Sequence, residues 1–141
     1  MKPPSEGFTL IELIAIIVIL GVIGITVGSR FTDSDIASVQ TSRDDLVAAL
    51  FFAQQKAMAQ SGVTLVLSTT SVNVLKNGNP ITLHQDAYPL TFVSGVSVSP
   101  SQNYTYNKLG QITDLAATAQ LTVQKGGTSA VVTVEPSGYA Y

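Results

Sequence analysis

The chain offers few side chains that could carry out catalysis. It contains no cysteine and a single histidine, His84, so neither a cysteine–histidine pair nor a metal site built from several histidines can be assembled. A Ser-His-Asp triad could be drawn through His84 and Asp86, but no G-x-S-x-G turn presents a serine. We therefore expect His84 to be structural, and we expect no enzyme activity, no catalytic residue and no cofactor.

Four carboxylates fall in one stretch of the chain: Asp33, Asp35, Asp44 and Asp45. Carboxylate oxygens are suitable ligands for calcium, but these residues do not have the spacing of an EF-hand loop. The first two precede a predicted helical segment and the last two lie within it. We therefore expect helix caps and a solvated helix face rather than a metal site.

The tyrosines near the C-terminus are spaced two residues apart, as Tyr104 and Tyr106 and again as Tyr139 and Tyr141. In a strand this spacing places both rings of a pair on one face. Such rings could line a binding surface, but they more often pack on the sheet and leave the hydroxyl in solvent. We expect the packing role.

The remaining candidate is Glu12, a carboxylate inside an apolar run. About twenty residues from Phe8 to Val27 contain no other ionisable side chain, and a helix of that length spans about 30 Å, the thickness of a bilayer's hydrocarbon core. A carboxylate within such a helix costs about 2.5–3.5 kcal/mol on insertion scales. A plain membrane anchor explains the apolar run but leaves the position of Glu12 unexplained.

The elements that position Glu12 form one long helix. The apolar segment 8–28 is followed by an amphipathic segment, 29–61, in which Ser34 or Asp35 could cap a new start. We expect a partly interrupted helix that ends near Ser61, with Gly62 as its stop. Its buried face is predicted from apolar residues spaced three or four apart: Ile36, Val39, Leu46, Leu50, Ala53 and Ala57.

The rest of the chain, 62–141, has the period-two pattern of strands. Predicted strands are Val63–Thr69, Ser71–Lys76, Ile81–His84, Leu90–Ser99 with a possible bulge at Gly95, Tyr104–Tyr106, Ala119–Lys125 and Ala130–Glu135. Turn residues lie at 77–80 and at 126–129. A helix followed by strands predicts an α+β fold in which the long N-terminal helix packs against an antiparallel β-sheet head.

Composition narrows the class of protein. The 141 residues allow one domain beside the N-terminal helix. A net charge of −2 without a basic cluster argues against a nucleic-acid surface. Without cysteine, no disulfide can support the head.

The segment Gly7-Phe8-Thr9-Leu10-Ile11-Glu12-Leu13-Ile14 resembles the N-terminal signal of type IV pilins and of the pseudopilins of type II secretion. The resemblance implies that a membrane prepilin peptidase removes residues 1–7 by cutting between Gly7 and Phe8, and that Phe8 is then N-methylated. Glu12 becomes the fifth residue of the mature chain. The leader departs from the usual pattern because Lys2 is its only basic side chain.

The resemblance also implies a role for Glu12. In a bundle of staggered subunits, its carboxylate can pair with the amino group of Phe8 on a neighbour, which would fix the axial register. The alternative is that Glu12 reaches the membrane interface from its place near the helix end.

Within the family, the head resembles H-type minor pilins and pseudopilins, such as an MSHA minor pilin, through Tyr104–Gly110 and Gly138-Tyr139. The implied function is a minor structural subunit of a type IV pilus. Its partners would be other pilin subunits, the prepilin peptidase, the inner-membrane assembly platform and the membrane itself, with the head in the periplasm before assembly. The alternatives are an H-type pseudopilin of type II secretion and, with less support, a tip pilin that binds DNA or another ligand.

Overall fold

The structure, a computed structural model, describes residues 9–81 and 88–141, with the backbone alone for residues 24–33. Two compact units are present, Met1–Ser34 and Asp35–Tyr141. Helix α1, Leu10–Ala59, contributes to both. The second unit is called the head below.

Helix α1 is continuous, so the predicted interruption is wrong. Ser34 and Asp35 lie inside the helix and not at the start of a new one. The helix contains no proline, and single glycines cost only about 1 kcal/mol each relative to alanine. The polar residues around Ser34 and Asp35 are compatible with a helical backbone, and no residue of this region forces the helix to end.

The face of α1 that packs in the head follows the predicted spacing, with one error. Fully or almost fully buried are Val39, Leu46, Ala49, Leu50, Ala53 and Ala57. Ile36 was expected in this set but is 45% exposed. Lys125 of the second sheet contacts α1 at Asp35 and Ser38. Ile36 lies on the helix face turned away from that contact, toward solvent.

Gly62 ends the helical segment, as predicted. The last helical residue is Ala59, and Gly62 has a φ of +78°, a conformation that favours glycine. The backbone nitrogen of Asn77 donates to the Gly62 carbonyl at 2.8 Å. A Cβ atom at Gly62 would collide with the side chain of Asn77, so this turn needs glycine on two counts.

The first sheet is antiparallel and contains β1 (Val63–Leu67), β2 (Ser71–Lys76), β3 (Asn79–Pro80), β4 (Leu90–Thr91) and β6 (Asn103–Tyr106). Its strand order is β3-β2-β1-β6, and β4 also pairs with β2. Leu65 lies opposite Val74 on one side and Tyr104 on the other. The strands predicted at 63–69, 71–76 and 104–106 are present.

The second sheet has the order β5-β7-β8, formed by Ser97–Ser99, Ala119–Lys125 and Thr128–Val134. The predicted last hairpin is present, with Lys125 opposite Thr128. Its turn is therefore the two residues Gly126 and Gly127, and the longer turn predicted at 126–129 is wrong.

Two other strand predictions differ from the structure. The segment Leu90–Ser99 forms two short strands, β4 and β5, that belong to different sheets. They are separated by a turn at Gly95, which has a φ of +83°, so this glycine is not a bulge within one strand. Of the strand predicted at Ile81–His84, only Ile81 is described and it lies outside any strand; residues 82–84 lie outside the described residues.

The core of the head joins the buried face of α1 to apolar side chains of both sheets. Examples from the sheets are Leu65, Val74, Leu121 and Val132, which have no exposed surface. Ser42 is the buried polar residue among them, and its hydroxyl accepts a hydrogen bond from the Val93 nitrogen at 3.2 Å. The predicted α+β class, with a long helix packed on antiparallel sheet, is confirmed.

Candidate functional site

Glu12 lies in the first turn of α1 and is exposed. Its backbone nitrogen donates to the Thr9 carbonyl at 3.1 Å and lies 3.4 Å from the Thr9 hydroxyl oxygen. Thr9 is therefore the N-cap, and Glu12 is the third helical residue. Thr-x-x-Glu is the sequence signature of a capping box, and a carboxylate in the first turn also interacts favourably with the helix dipole.

The residues that follow Glu12, as far as Ile23, make the first part of α1 apolar on every side. From Leu10 to Ile23, the large apolar side chains are between 39% and 77% exposed. Glu12 is the one ionisable side chain of this segment. Because five consecutive residues, 16–20, are all apolar, the helix from Leu13 to Ile23 has no polar face. A helix that is apolar all round is stable where other apolar groups surround it. Within residues 9–81 and 88–141, no helix combines the length and mean hydropathy that crossing a bilayer requires.

Several other residues singled out from the sequence are not among those that the structure describes. Gly7 and Phe8, the predicted processing site, lie outside the described residues, and so do His84 and Asp86. The side chain of Asp33 is also not described.

The remaining aspartates of the acidic stretch are spread along α1. Asp35 pairs with Lys125 at 3.3 Å, and Asp44 pairs with Arg43 at 3.2 Å. In the part of the chain that the structure describes, no three histidine or carboxylate side chains gather as a metal site.

The four tyrosines separate into two environments. Tyr139 and Tyr141 are exposed, with ring centroids 5.5 Å apart. Tyr104 and Tyr106 are buried together with their hydroxyl oxygens, and among the described residues the Tyr106 hydroxyl has no hydrogen-bond partner. The expectation of solvent-facing hydroxyls is therefore wrong for this pair, because β6 is covered on its inner face. Burial raises the pKa of both phenols.

Gln54, which the sequence did not single out, holds two loops against α1. Its side-chain amide donates to the Gly110 carbonyl at 3.3 Å and to the Ser137 carbonyl at 3.1 Å. Gly110 and Gly138 both have positive φ, and a Cβ at Gly138 would collide with the Gly110 carbonyl oxygen. The motif regions 104–110 and 138–139 therefore meet at Gln54.

The head has five basic side chains, of which two are in ion pairs. Lys125 and Arg43 are in the ion pairs above, and the Lys56 ammonium lies 5.6 Å from the centre of the Phe52 ring. Lys76 and Lys108 line a cleft at the end of α1. This distribution does not favour binding along a nucleic-acid backbone, which needs several aligned phosphate contacts.

No protein-family model matches the chain, and no curated protein is similar to it in sequence. Among solved structures, the chain is similar to the type IV minor pilin FimU of Pseudomonas aeruginosa. The TM-score is 0.53 at 14% sequence identity, over 72% of this chain and 90% of the FimU chain. At this identity the similarity concerns the fold: the chain has the fold of a type IV pilin.

Proposed function

We propose that this protein is a minor structural subunit of a type IV pilus that assembles through its N-terminal helix. The observation that carries the proposal is the segment from Leu10 to Ile23, whose large apolar side chains are exposed all round the helix. Relative to exposure in water, burying each leucine or isoleucine in a membrane or in a bundle of such helices contributes about 1.5–3 kcal/mol. The pilin fold, seen in the similarity to a minor pilin, supports the same function.

Processing at the Gly7–Phe8 bond completes the proposal. Cleavage by a prepilin peptidase would create a positive amino terminus at Phe8, four residues before Glu12. The Glu12 carboxylate would then pair with the Phe8 amino group of a neighbouring subunit. Because an unpaired charge in an apolar bundle is heavily penalised, this pairing would select one axial register.

The proposal also assigns a location to the subunit before and after assembly. The segment 8–28 would hold the subunit in the bacterial inner membrane, with the head in the periplasm, until the assembly platform extracts it into the filament. An H-type pseudopilin of type II secretion remains the second candidate, because both filaments use the same N-terminal chemistry. A DNA-binding tip role has less support, since two of the head's five basic side chains, Arg43 and Lys125, are in ion pairs.

Mass spectrometry of the chain isolated from its native host tests the processing step. The proposal expects a mature N-terminus at N-methylated Phe8, in membranes and in filaments sheared from the cell surface. A chain that keeps residues 1–7, or one cut after Val27, would contradict it. Recovery of the mature chain from surface filaments would identify the filament as a type IV pilus. Recovery of the mature chain from cells that lack pili but secrete proteins by the type II route would identify it as a pseudopilus.

A further inference from the structure

A cleft of about 460 Å³ lies at the C-terminal end of α1. It is lined by the helix end and by two turns: Met58, Ala59, Gln60, Ser61, Lys76, Asn77 and Lys108. Leu109 is adjacent to the cleft, because the loop that carries it packs on Met58: a Cβ atom at Gly110 would lie 3.2 Å from the Met58 side chain. We call Met58, Lys76, Lys108 and Leu109 the helix-end surface.

The loop that carries Lys108 and Leu109 is held rigidly by Asn107. The Asn107 side-chain oxygen accepts hydrogen bonds from the backbone nitrogens of Leu109 at 2.8 Å and Gln111 at 3.0 Å. Its side-chain nitrogen donates to the Gln111 side chain at 3.0 Å. Leu109 is nevertheless 74% exposed. A rigid loop presents this side chain at a low entropic cost of binding.

The second turn fixes Lys76 on the other side of the cleft. It comprises Asn77 and Gly78, with φ values of 50° and 83°. The Asn77 backbone nitrogen donates a hydrogen bond to the carbonyl of Gly62, which lies just beyond the end of α1. Lys76 is the last residue of β2 and is exposed. Both lysines are therefore attached to backbone whose position is fixed relative to the helix end.

No carboxylate of the described residues neutralises the charge of this surface. Among the described residues, neither Lys76 nor Lys108 has a carboxylate within ion-pair distance, whereas Lys125 pairs with Asp35. Among the residues that the structure describes, the cleft is lined by no carboxylate. The carbonyl end of a helix carries about half a negative charge, which offsets only part of two ammonium groups. The surface is therefore positive, with the exposed apolar side chains of Met58 and Leu109 beside the charges.

We propose that the helix-end surface binds an adjacent filament subunit, through a patch on that subunit that places a carboxylate next to an apolar side chain. This inference rests on the proposed function. Met58 and Leu109 supply apolar area to bury, while the lysines set orientation and exclude basic neighbours, as charges at an interface rim do. Met58 is 53% exposed, and Leu109 is more exposed than Met58. A nucleic acid that bound the two lysines through its phosphates would not bury these apolar side chains, so a protein partner fits the surface better.

Carbodiimide cross-linking of intact filaments tests this contact, because the reagent joins only amines and carboxylates that already touch. The Lys125–Asp35 pair, at 3.3 Å, is an internal positive control that should cross-link whether or not the subunit is assembled. We expect a second product that joins Lys76 or Lys108 to a carboxylate of another subunit. That product should appear in filaments and disappear when they are dissociated in detergent.

Charge reversal provides an independent measurement. The double variant Lys76→Glu/Lys108→Glu should lower recovery of the chain in filaments at least about tenfold, with processing at Phe8 and the Lys125–Asp35 product unchanged. Lys56→Glu is the matched control, since Lys56 lies on the same stretch of helix but lines no part of the cleft, and its recovery should remain within about twofold of wild type.

The outcomes separate this inference from the proposed function. Filaments that contain the chain and show the Lys125–Asp35 product, but no product at Lys76 or Lys108, would overturn the helix-end contact and leave the pilin function intact. Absence of the chain from all filaments would overturn both. Retention of the double variant in filaments, or cross-links from Lys76 and Lys108 to a non-filament protein, would also contradict the inference.

Discussion

The hydroxyl oxygen of Thr9 lies 3.4 Å from the backbone nitrogen of Glu12, which makes Thr9 the N-cap of α1 and Glu12 its third residue. The sequence Thr-x-x-Glu also predicts a local role for the Glu12 side chain, which does not depend on other subunits. A capping box accepts either glutamate or glutamine at this position, whereas an ion pair with a neighbour needs the charge. The two roles can be separated by substitution.

Gln54 is expected to be a major support of the head. Replacing it with alanine removes the hydrogen bonds to the carbonyls of Gly110 and Ser137, and we predict a loss of about 1–3 kcal/mol in the free energy of unfolding. Chemical denaturation of the full-length protein in detergent micelles measures this. Gln55→Ala, on the exposed neighbouring position, should change stability by less than about 0.5 kcal/mol. Equal effects of the two variants would contradict the role of Gln54.

Gly138 is expected to tolerate no side chain. It has a φ of +86°, and an added Cβ would meet the Gly110 carbonyl oxygen. Gly138→Ala should destabilise the head by at least about 2 kcal/mol, since backbone strain alone costs about 1–3 kcal/mol. Gly127→Ala is the matched control, because a Cβ there has nothing within 4 Å. A thermal midpoint for Gly138→Ala equal to that of Gly127→Ala would show that the two loops do not meet as described.

The buried hydroxyl of Tyr106 predicts a pH dependence. Burial raises its pKa, with a smaller contribution from Tyr104, so above about pH 10 the unfolded chain loses the phenolic proton while the folded chain keeps it. Stability should fall as pH rises through this range. Tyr106→Phe should make that fall shallower, and at pH 7 it should leave stability unchanged or raise it by about 1 kcal/mol, because a hydroxyl without a partner is removed.

Denaturant titrations at pH 7 and at pH 11 provide the comparison, with Tyr139→Phe as the control at an exposed position. A loss of more than about 1 kcal/mol at pH 7 for Tyr106→Phe would mean that the hydroxyl has a partner in the folded protein.

Features that depend on nearby residues could be predicted from the sequence. The stop at Gly62, the hairpin around Gly126-Gly127 and most of the buried stripe of α1 depend on residues a few positions apart. Pairing of β1 with β6, by contrast, joins Leu65 to Tyr104. No local pattern encodes that pairing, and the burial of the Tyr104 and Tyr106 hydroxyls follows from it.

The candidate site shows the same division. Glu12 can be identified from the sequence as a candidate site residue, because it is the one carboxylate in an apolar run. The Thr-x-x-Glu signature of its helix cap lies within four consecutive residues. The role of Gln54 could not be predicted from the sequence, because its hydrogen-bond partners lie 56 and 83 residues away along the chain. The helix-end surface was not predictable either, because Met58, Lys76 and Lys108 meet only in the folded head.

The most direct test of assembly through the N-terminal helix compares Glu12→Gln with Thr9→Val. Glu12→Gln keeps the capping box and removes the charge, whereas Thr9→Val removes the cap, at a cost of about 1 kcal/mol, and keeps the charge. Each variant is expressed in the native host, and its amount in sheared filaments is measured relative to the processed chain in membranes. We predict that Glu12→Gln is processed normally but is depleted from filaments by at least about tenfold, while Thr9→Val is incorporated within about twofold of wild type. Incorporation of Glu12→Gln at the wild-type level would contradict the account.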